Sequence, residues 1–168
     1  MRAIHLFPEF TNVESVQSIR RKYDPLVNLI PPHVTLVFPF HSEIPTEKLV
    51  NHVKESLAGL APFRFVARGI TGSDGEYLFL NIKVGNDHII QLHDRLYTGP
   101  LSEHLCRALT YTPHITVGRI SEQAMFKDVL IETETLHEFF ETTANEVVIE
   151  MIDRVGMSTI EAKIPLGT

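Results

Sequence analysis

The feature that most constrains how this chain can fold is a short pattern that occurs twice. The first copy is Pro32-His33-Val34-Thr35-Leu36. The second is Pro113-His114-Ile115-Thr116-Val117, which continues into Gly118-Arg119. Each reads proline, histidine, β-branched apolar residue, threonine, apolar residue. Val, Ile and Thr favour extended backbone, and proline is tolerated where a strand begins. Strand side chains alternate between faces, so His33 and Thr35 share one face while Val34 and Leu36 take the other. His114 and Thr116 stand in the same relation to Ile115 and Val117. Each copy therefore presents an imidazole and a hydroxyl about 7 Å apart on one face of a strand, with its apolar pair turned to a core. The copies are 114 − 33 = 81 residues apart, close to half of the 168-residue chain. That spacing points to an internal duplication with one half-site per repeat.

The order of elements read along the chain supports the duplication independently. Residues 2–7 alternate as a strand. Thr11-Asn12-Val13-Glu14 is a capping-box pattern that opens a helix, which Pro25 ends. The first tetrad strand follows, then a helix over 46–57 and a strand over 63–70. Gly72-Ser73-Asp74-Gly75 reads as a turn between strands. A strand over 77–84, a helix over 86–97 capped by Asn86, the second tetrad strand and a helix over 121–131 come next. Residues 101–110 read as a loop or short helix, and 132–140 carry no clear pattern. Residues 145–154 and 157–164 read as closing strands. The sequence thus predicts a strand-helix-strand-helix-strand unit, repeated, with one strand added. The midpoint is a tight turn and no flexible linker is visible, so the two lobes are expected to pack together as a single domain over 1–168.

Composition narrows the function. With 43% hydrophobic residues the chain can bury a sizeable core, and 21% charged residues is an ordinary globular value. A net charge of −6 argues against a long groove gripping many nucleic-acid phosphates. It leaves room for a nucleotide or an RNA end in a locally positive pocket. The single cysteine, Cys106, excludes an intramolecular disulfide, suits a reducing compartment and reads as a buried apolar filler. No signal peptide and no membrane span are expected, so the expected location is the cytoplasm. The basic run Arg20-Arg21-Lys22 reads as a solvated helix end. Of nine histidines, the seven outside the tetrads (His5, His41, His52, His88, His93, His104 and His137) read mostly as surface residues. His88 and His93 do not align on a helix face, and no carboxylates cluster beside the tetrads, so neither a metal nor another cofactor is expected.

Two imidazoles and two hydroxyls around one small anion are chemistry for a phosphate diester. A histidine titrates near neutrality, so one can take a proton while its partner gives one. The threonines would donate to the non-bridging oxygens as charge builds there. The sequence does not show which histidine does which; the assignment adopted is His33 as acid and His114 as base, with roles exchanged in the reverse reaction. Binding of a nucleotide or RNA end without catalysis would use the same four residues. A metal-dependent hydrolase is disfavoured for want of clustered carboxylates.

The paired tetrads resemble the 2H phosphoesterase superfamily, in its 2′-5′ RNA ligase-like branch. Residues 111–119 (YTPHITVGR) carry the closest likeness, and 21–25 (RKYDP) with 29–36 (LIPPHVTL) look like a bacterial subgroup of that branch. The resemblance implies an α+β fold of two pseudo-symmetric lobes, with largely antiparallel sheets around a central cleft lined by the tetrads. It also implies metal-independent work on 2′,3′-cyclic or 2′-5′ phosphodiesters, and it leaves open a 2′-5′ RNA ligase activity. Arg119 is added as a phosphate-binding candidate, because an arginine often stands at this offset in the family. Strand period alone puts Arg119 on the face opposite His114, unless a bulge at Gly118 returns it to the cleft. Phe7, Phe79 and Tyr111 are candidate platforms for a base.

Overall fold

Strand alternation and helical periodicity place the elements close to where the sequence reading puts them. A computed structural model describes residues 1–167. The chain runs β1 (Arg2–Leu6), α1 (Val13–Tyr23), β2 (Val34–Phe40), α2 (Thr46–Leu57) and β3 (Phe63–Ser73). It continues through β4 (Tyr77–Val84), α3 (Asn86–Leu96), a 3-10 helix over Gly99–His104, β5 (His114–Arg119) and α4 (Gln123–Thr133). It ends in β6 (Phe140–Ala144), β7 (Glu146–Ile152) and β8 (Ser158–Pro165). The strands form two four-stranded sheets, ordered β2-β1-β7-β8 and β5-β4-β3-β6, and all pairings are antiparallel. This is the expected α+β class with two lobes.

The duplication is visible in the pairing. β1 with β2 in one sheet corresponds to β4 with β5 in the other, and one α-helix lies in each connection (α1, α3), the second followed by the 3-10 helix. The third strand of each unit, however, joins the other lobe's sheet. β3 follows α2 yet pairs with β4, and β7, which closes the second unit after the additional strand β6, pairs with β1. The helices follow suit, for α1 packs against β5 and α3 against β2. Gly118 permits the first of these contacts: a Cβ there would meet Leu78 Cδ1 and Tyr23 Cβ, each at 2.9 Å. The lobes are thus interlocked, which element order alone could not reveal. One apolar cluster runs through both, from Ile4, Leu6 and Leu36 to Phe65, Leu80 and Ile115. Among the described residues no helix is long and apolar enough to cross a membrane.

Some local expectations fail for identifiable reasons. The capping box does not form; α1 starts at Val13 without a side-chain cap. Asn12 donates instead to Glu138 and to the Phe139 carbonyl, and Glu14 pairs with Arg21. Gly85, at φ 89°, precedes α3 where Asn86 was expected to cap, and the Asn86 amide donates to the Ile82 carbonyl. Residues 132–140, which carried no pattern, supply the end of α4 and the first residue of an additional strand, β6. Cys106 is exposed rather than buried. His5, His52 and His93 are buried rather than superficial. Arg20 is not part of a solvated helix end: it lies one turn beyond Val16 on the inward face of α1 and is only 1% exposed.

Candidate active site

Each tetrad is presented as its alternation demands. Val34, Leu36, Ile115 and Val117 are buried, while His33, Thr35, His114 and Thr116 keep one edge open to solvent. His33 immediately precedes β2, and His114 begins β5. The Nδ1 atoms of His33 and His114 lie 2.8 Å from the Pro31 carbonyl and 2.6 Å from the Thr112 carbonyl, respectively. A carbonyl can only accept, so Nδ1 carries the proton and donates in both cases, which leaves each Nε2 as a free acceptor. The same two-residue turn thus fixes the same tautomer twice. Neither threonine hydroxyl is committed to another protein group among the described residues.

The strands are tied across the lobes. The Tyr111 hydroxyl donates to the Thr35 carbonyl at 2.8 Å, and the Phe38 N–H donates to the Tyr97 hydroxyl oxygen at 2.9 Å. Burial holds the Tyr111 phenol above its ordinary range, so it stays a donor. A cavity of about 610 Å³ opens beside the second tetrad, walled by His114, Thr116, Phe79, Tyr77, Phe38 and Tyr111 among others. Four aromatic rings, Phe38, Tyr77, Phe79 and Tyr111, share its walls with polar residues such as Ser73, Asp74 and Thr110. His33 and Thr35 stand off this lining, next to it, and His114 is near enough for its charge to act on His33.

The two imidazoles differ in their surroundings. Burial lowers the proton affinity of His33 to about 4; the Pro31 hydrogen bond opposes this, the Arg20 and His114 charges add to it, and Asp24 opposes it again. His114 is also lowered by burial, against the Thr112 hydrogen bond. Beneath each ring lies another. Phe79 stacks on His114 at 3.6 Å between centroids and 20° between planes, and His5 stacks on His33 at 4.4 Å and 13°.

The remaining candidates are placed less centrally. The bulge is present, because Leu78 pairs with Gly118 and Phe79 with Thr116. Arg119 nonetheless stays outside the cavity. It is exposed, lies 3.3 Å from Glu76, and sets its guanidinium carbon 5.3 Å from the centre of the Tyr77 ring, which does line the cavity. Of the candidate platforms, Phe79 has one face against His114 and Tyr111 stacks on His93 at 3.7 Å. Phe7 is partly exposed, 6.2 Å from His33. Tyr77 joins them as a wall that periodicity did not single out.

The sequence reading missed a clamp behind His33. Arg20 Nε donates to Asp24 Oδ2 at 2.7 Å, and Arg20 Nη2 donates to the Ile30 carbonyl at 2.8 Å. Asp24 Oδ1 accepts from the Leu26 N–H at 2.9 Å. Together they pin the loop that carries the chain into the first tetrad. The i, i+4 spacing of Arg20 and Asp24 before Pro25 was the available signal. Among the described residues, no group of three or more His, Cys, Asp or Glu side chains is placed to hold a metal ion.

Two lobes that each lend one His-x-Thr strand to a shared cleft define the 2H class of phosphoesterases. The chain belongs to the 2′-5′ RNA ligase superfamily, whose family profile matches residues 8–155. A "Putative phosphoesterase" of Geobacillus sp. (strain WCH70) is 30% identical over 147 residues, covering 84% of this chain and 82% of the relative. One from Geobacillus kaustophilus (strain HTA426) is 28% identical over 144 residues, covering 84% and 82%. The fold is that of E. coli LigT, solved in complex with 3′-AMP, at TM-score 0.73 and 16% identity over 99% of this chain and 98% of that one. A Thermus thermophilus protein shares it at TM-score 0.65 and 17% identity, over 98% and 97%. The chain is thus placed among the phosphoesterases of this superfamily.

Proposed function

We propose that residues 1–168 act as one bilobal, metal-independent phosphodiesterase that opens 2′,3′-cyclic or 2′-5′ phosphodiesters of nucleotides or RNA ends. The observation that carries this reading is the matched pair of imidazoles, one from each lobe, each with Nδ1 tied to a backbone carbonyl and Nε2 free. In the opening step one Nε2 takes a proton from water as the water oxygen bonds to phosphorus. The other imidazolium gives a proton to the ribose oxygen as its bond to phosphorus breaks. Thr35 and Thr116 donate to the non-bridging oxygens, whose charge grows during attack. Arg119 is a peripheral phosphate ligand that must leave Glu76 to take part.

The surroundings favour exchanging the roles first assigned from sequence. His33 is the more strongly lowered of the two rings, chiefly by its burial, so it resists a proton more than His114 does. It is therefore the base for ring opening, and His114 the acid. In the free protein burial keeps both rings neutral at pH 7; the anionic diester brings the charge that lets His114 load its proton. The four aromatic rings in the cavity beside His114 suit a nucleobase. The LigT complexes with 3′-AMP and NADP+ support a ligand of nucleotide size. The test is turnover of a panel of 2′,3′-cyclic nucleotides and 2′-5′ dinucleotides, with and without EDTA. Turnover that survives chelation is expected; activity lost in EDTA and restored by a divalent ion overturns the metal-free mechanism.

The threonines offer a sharper check. A hydrogen bond to a charged partner contributes about 1.5–3 kcal/mol, so Thr35→Val or Thr116→Val should slow turnover about ten- to a hundredfold. Valine matches the shape of threonine and suits a strand, so stability should hold. A donor acting on transition-state charge lowers kcat at constant KM, the outcome expected for at least one of the two. Wild-type kinetics in both variants would show that the hydroxyls do not meet the phosphate.

A further inference from the structure

The two lobes repeat the tetrad but not what lies beneath it. In the β1–β2 register His5 stands opposite Thr35; in the β4–β5 register Phe79 stands opposite Thr116. His5 and Phe79 thus occupy equivalent places, and each stacks on the histidine of its own tetrad. Phenylalanine fulfils the packing role with no polar atom to satisfy. His5 does not, because it is 2% exposed and neither ring nitrogen has a hydrogen bond within the protein. Its Nδ1 lies 3.3 Å from Oε2 of Glu150 on β7, out of line for a hydrogen bond. Glu150 is 1% exposed, and its other oxygen accepts from Ser158 on β8. Burying an imidazole and a carboxyl group with open hydrogen-bonding positions is unfavourable, and an apolar pair would pack there without that cost. A polar pair kept where the sister lobe has a benzene ring points to a role in the chemistry above it.

We propose that His5 and Glu150 are a positioning pair for His33, setting its ring plane and placing behind it a buried carboxyl group whose ionisation offsets the charge His33 takes on with a proton. The proposal rests on His33 acting as the base, and it deepens that reading by explaining the asymmetry of the two half-sites. The charged and titratable groups acting on His33 are Arg20 and Asp24 from α1 and the loop after it, His114 from β5, and His5 from β1; Glu150 lies beside His5. Arg20 is already neutralised by Asp24. Glu150 has no cation beside it, and its nearest titratable neighbour is His5, whose stacked ring can pass polarisation to His33. Burial raises the proton affinity of Glu150 and lowers that of His5, so burial favours the neutral form of each. As His33 gains a proton, the ionised form of Glu150 becomes favoured.

The experiment uses the full chain carrying Glu150→Gln, His5→Phe or both changes. The double variant rebuilds the apolar setting that Phe79 gives His114. Histidine-labelled protein is titrated by NMR, and the pH dependence of kcat/KM for a 2′,3′-cyclic nucleotide is measured beside it. In Glu150→Gln the His33 midpoint and the acid limb should move down by about one pH unit, with the His114 midpoint unmoved. Turnover at neutral pH should fall about tenfold. His5→Phe should move the same limb in the same direction. A merely structural pair would lower thermal stability and leave both midpoints in place, which overturns the proposal; so does an equal movement of the two midpoints. A shifted His33 midpoint in a protein that opens no diester supports the pair and overturns the catalytic reading, so the two failures are distinguishable.

Discussion

His33→Ala and His114→Ala should each cut turnover of a cyclic nucleotide by at least about a hundredfold, the usual cost of losing a general acid or base. The loss should fall on kcat more than on KM, because each imidazole acts on a proton that moves only in the transition state. Both variants should stay folded, since the two side chains keep an edge in solvent and their neighbours Val34 and Ile115 carry the packing. The double variant should be little worse than either single one, since the acid and the base serve one step and act as a unit. The two singles should also differ in pH dependence. With His33 gone, the acid limb it sets disappears; with His114 gone, the basic limb goes. Steady-state kinetics across pH, with circular dichroism alongside, reads all of this. Retention of full activity in one variant while the other unfolds would mean that the histidines are not a catalytic pair.

How much of this was legible before the structure follows from which physical signals are local. Alternation and the Pro-His-x-Thr pattern are local, and they placed β2, β5 and the orientation of all four tetrad side chains. The repeated element order is a one-dimensional signal, and it gave two related lobes. The exchange of β3 and β7 between sheets is a matter of pairing between lobes, and nothing in either strand's own pattern distinguishes the partners. Arg20 was hidden because three basic residues in a row read as a charged face, and only the helix phase relative to Val16 turns one of them inward. His5 was hidden for a related reason. Its strand is buried on both faces, so alternation carries no label for which polar residue is enclosed. Arg119 shows the limit from the other side: the bulge that could have aimed it at the cleft exists, yet the side chain settles on Glu76 and Tyr77.

The largest effect on stability is expected at Arg20. Its guanidinium is 1% exposed, pairs with Asp24 at 2.7 Å and donates to the Ile30 carbonyl at 2.8 Å. Asp24 is 7% exposed and in turn holds the Leu26 N–H. Arg20→Ala leaves a buried carboxylate without its cation and a carbonyl without its donor, which costs about 3–5 kcal/mol, a large share of the stability of an ordinary domain. Arg20→Lys should recover only part of this, since a single ammonium on a flexible stem cannot serve the carboxylate and the carbonyl in the fixed fork that arginine provides. Arg20→Met with Asp24→Asn should recover more than half, because the asparagine oxygen still accepts from Leu26 and no buried charge remains. Urea unfolding of the four proteins measures the order, at constant m-value if the denatured state is unchanged. The loop that Arg20 pins leads directly to His33, so hydrogen exchange at residues 26–33 should quicken in Arg20→Ala more than exchange in the strands of the other sheet. A loss below about 1 kcal/mol would mean that the clamp is a bystander and that the position of His33 is set by the Pro31 carbonyl and the β1 contact alone.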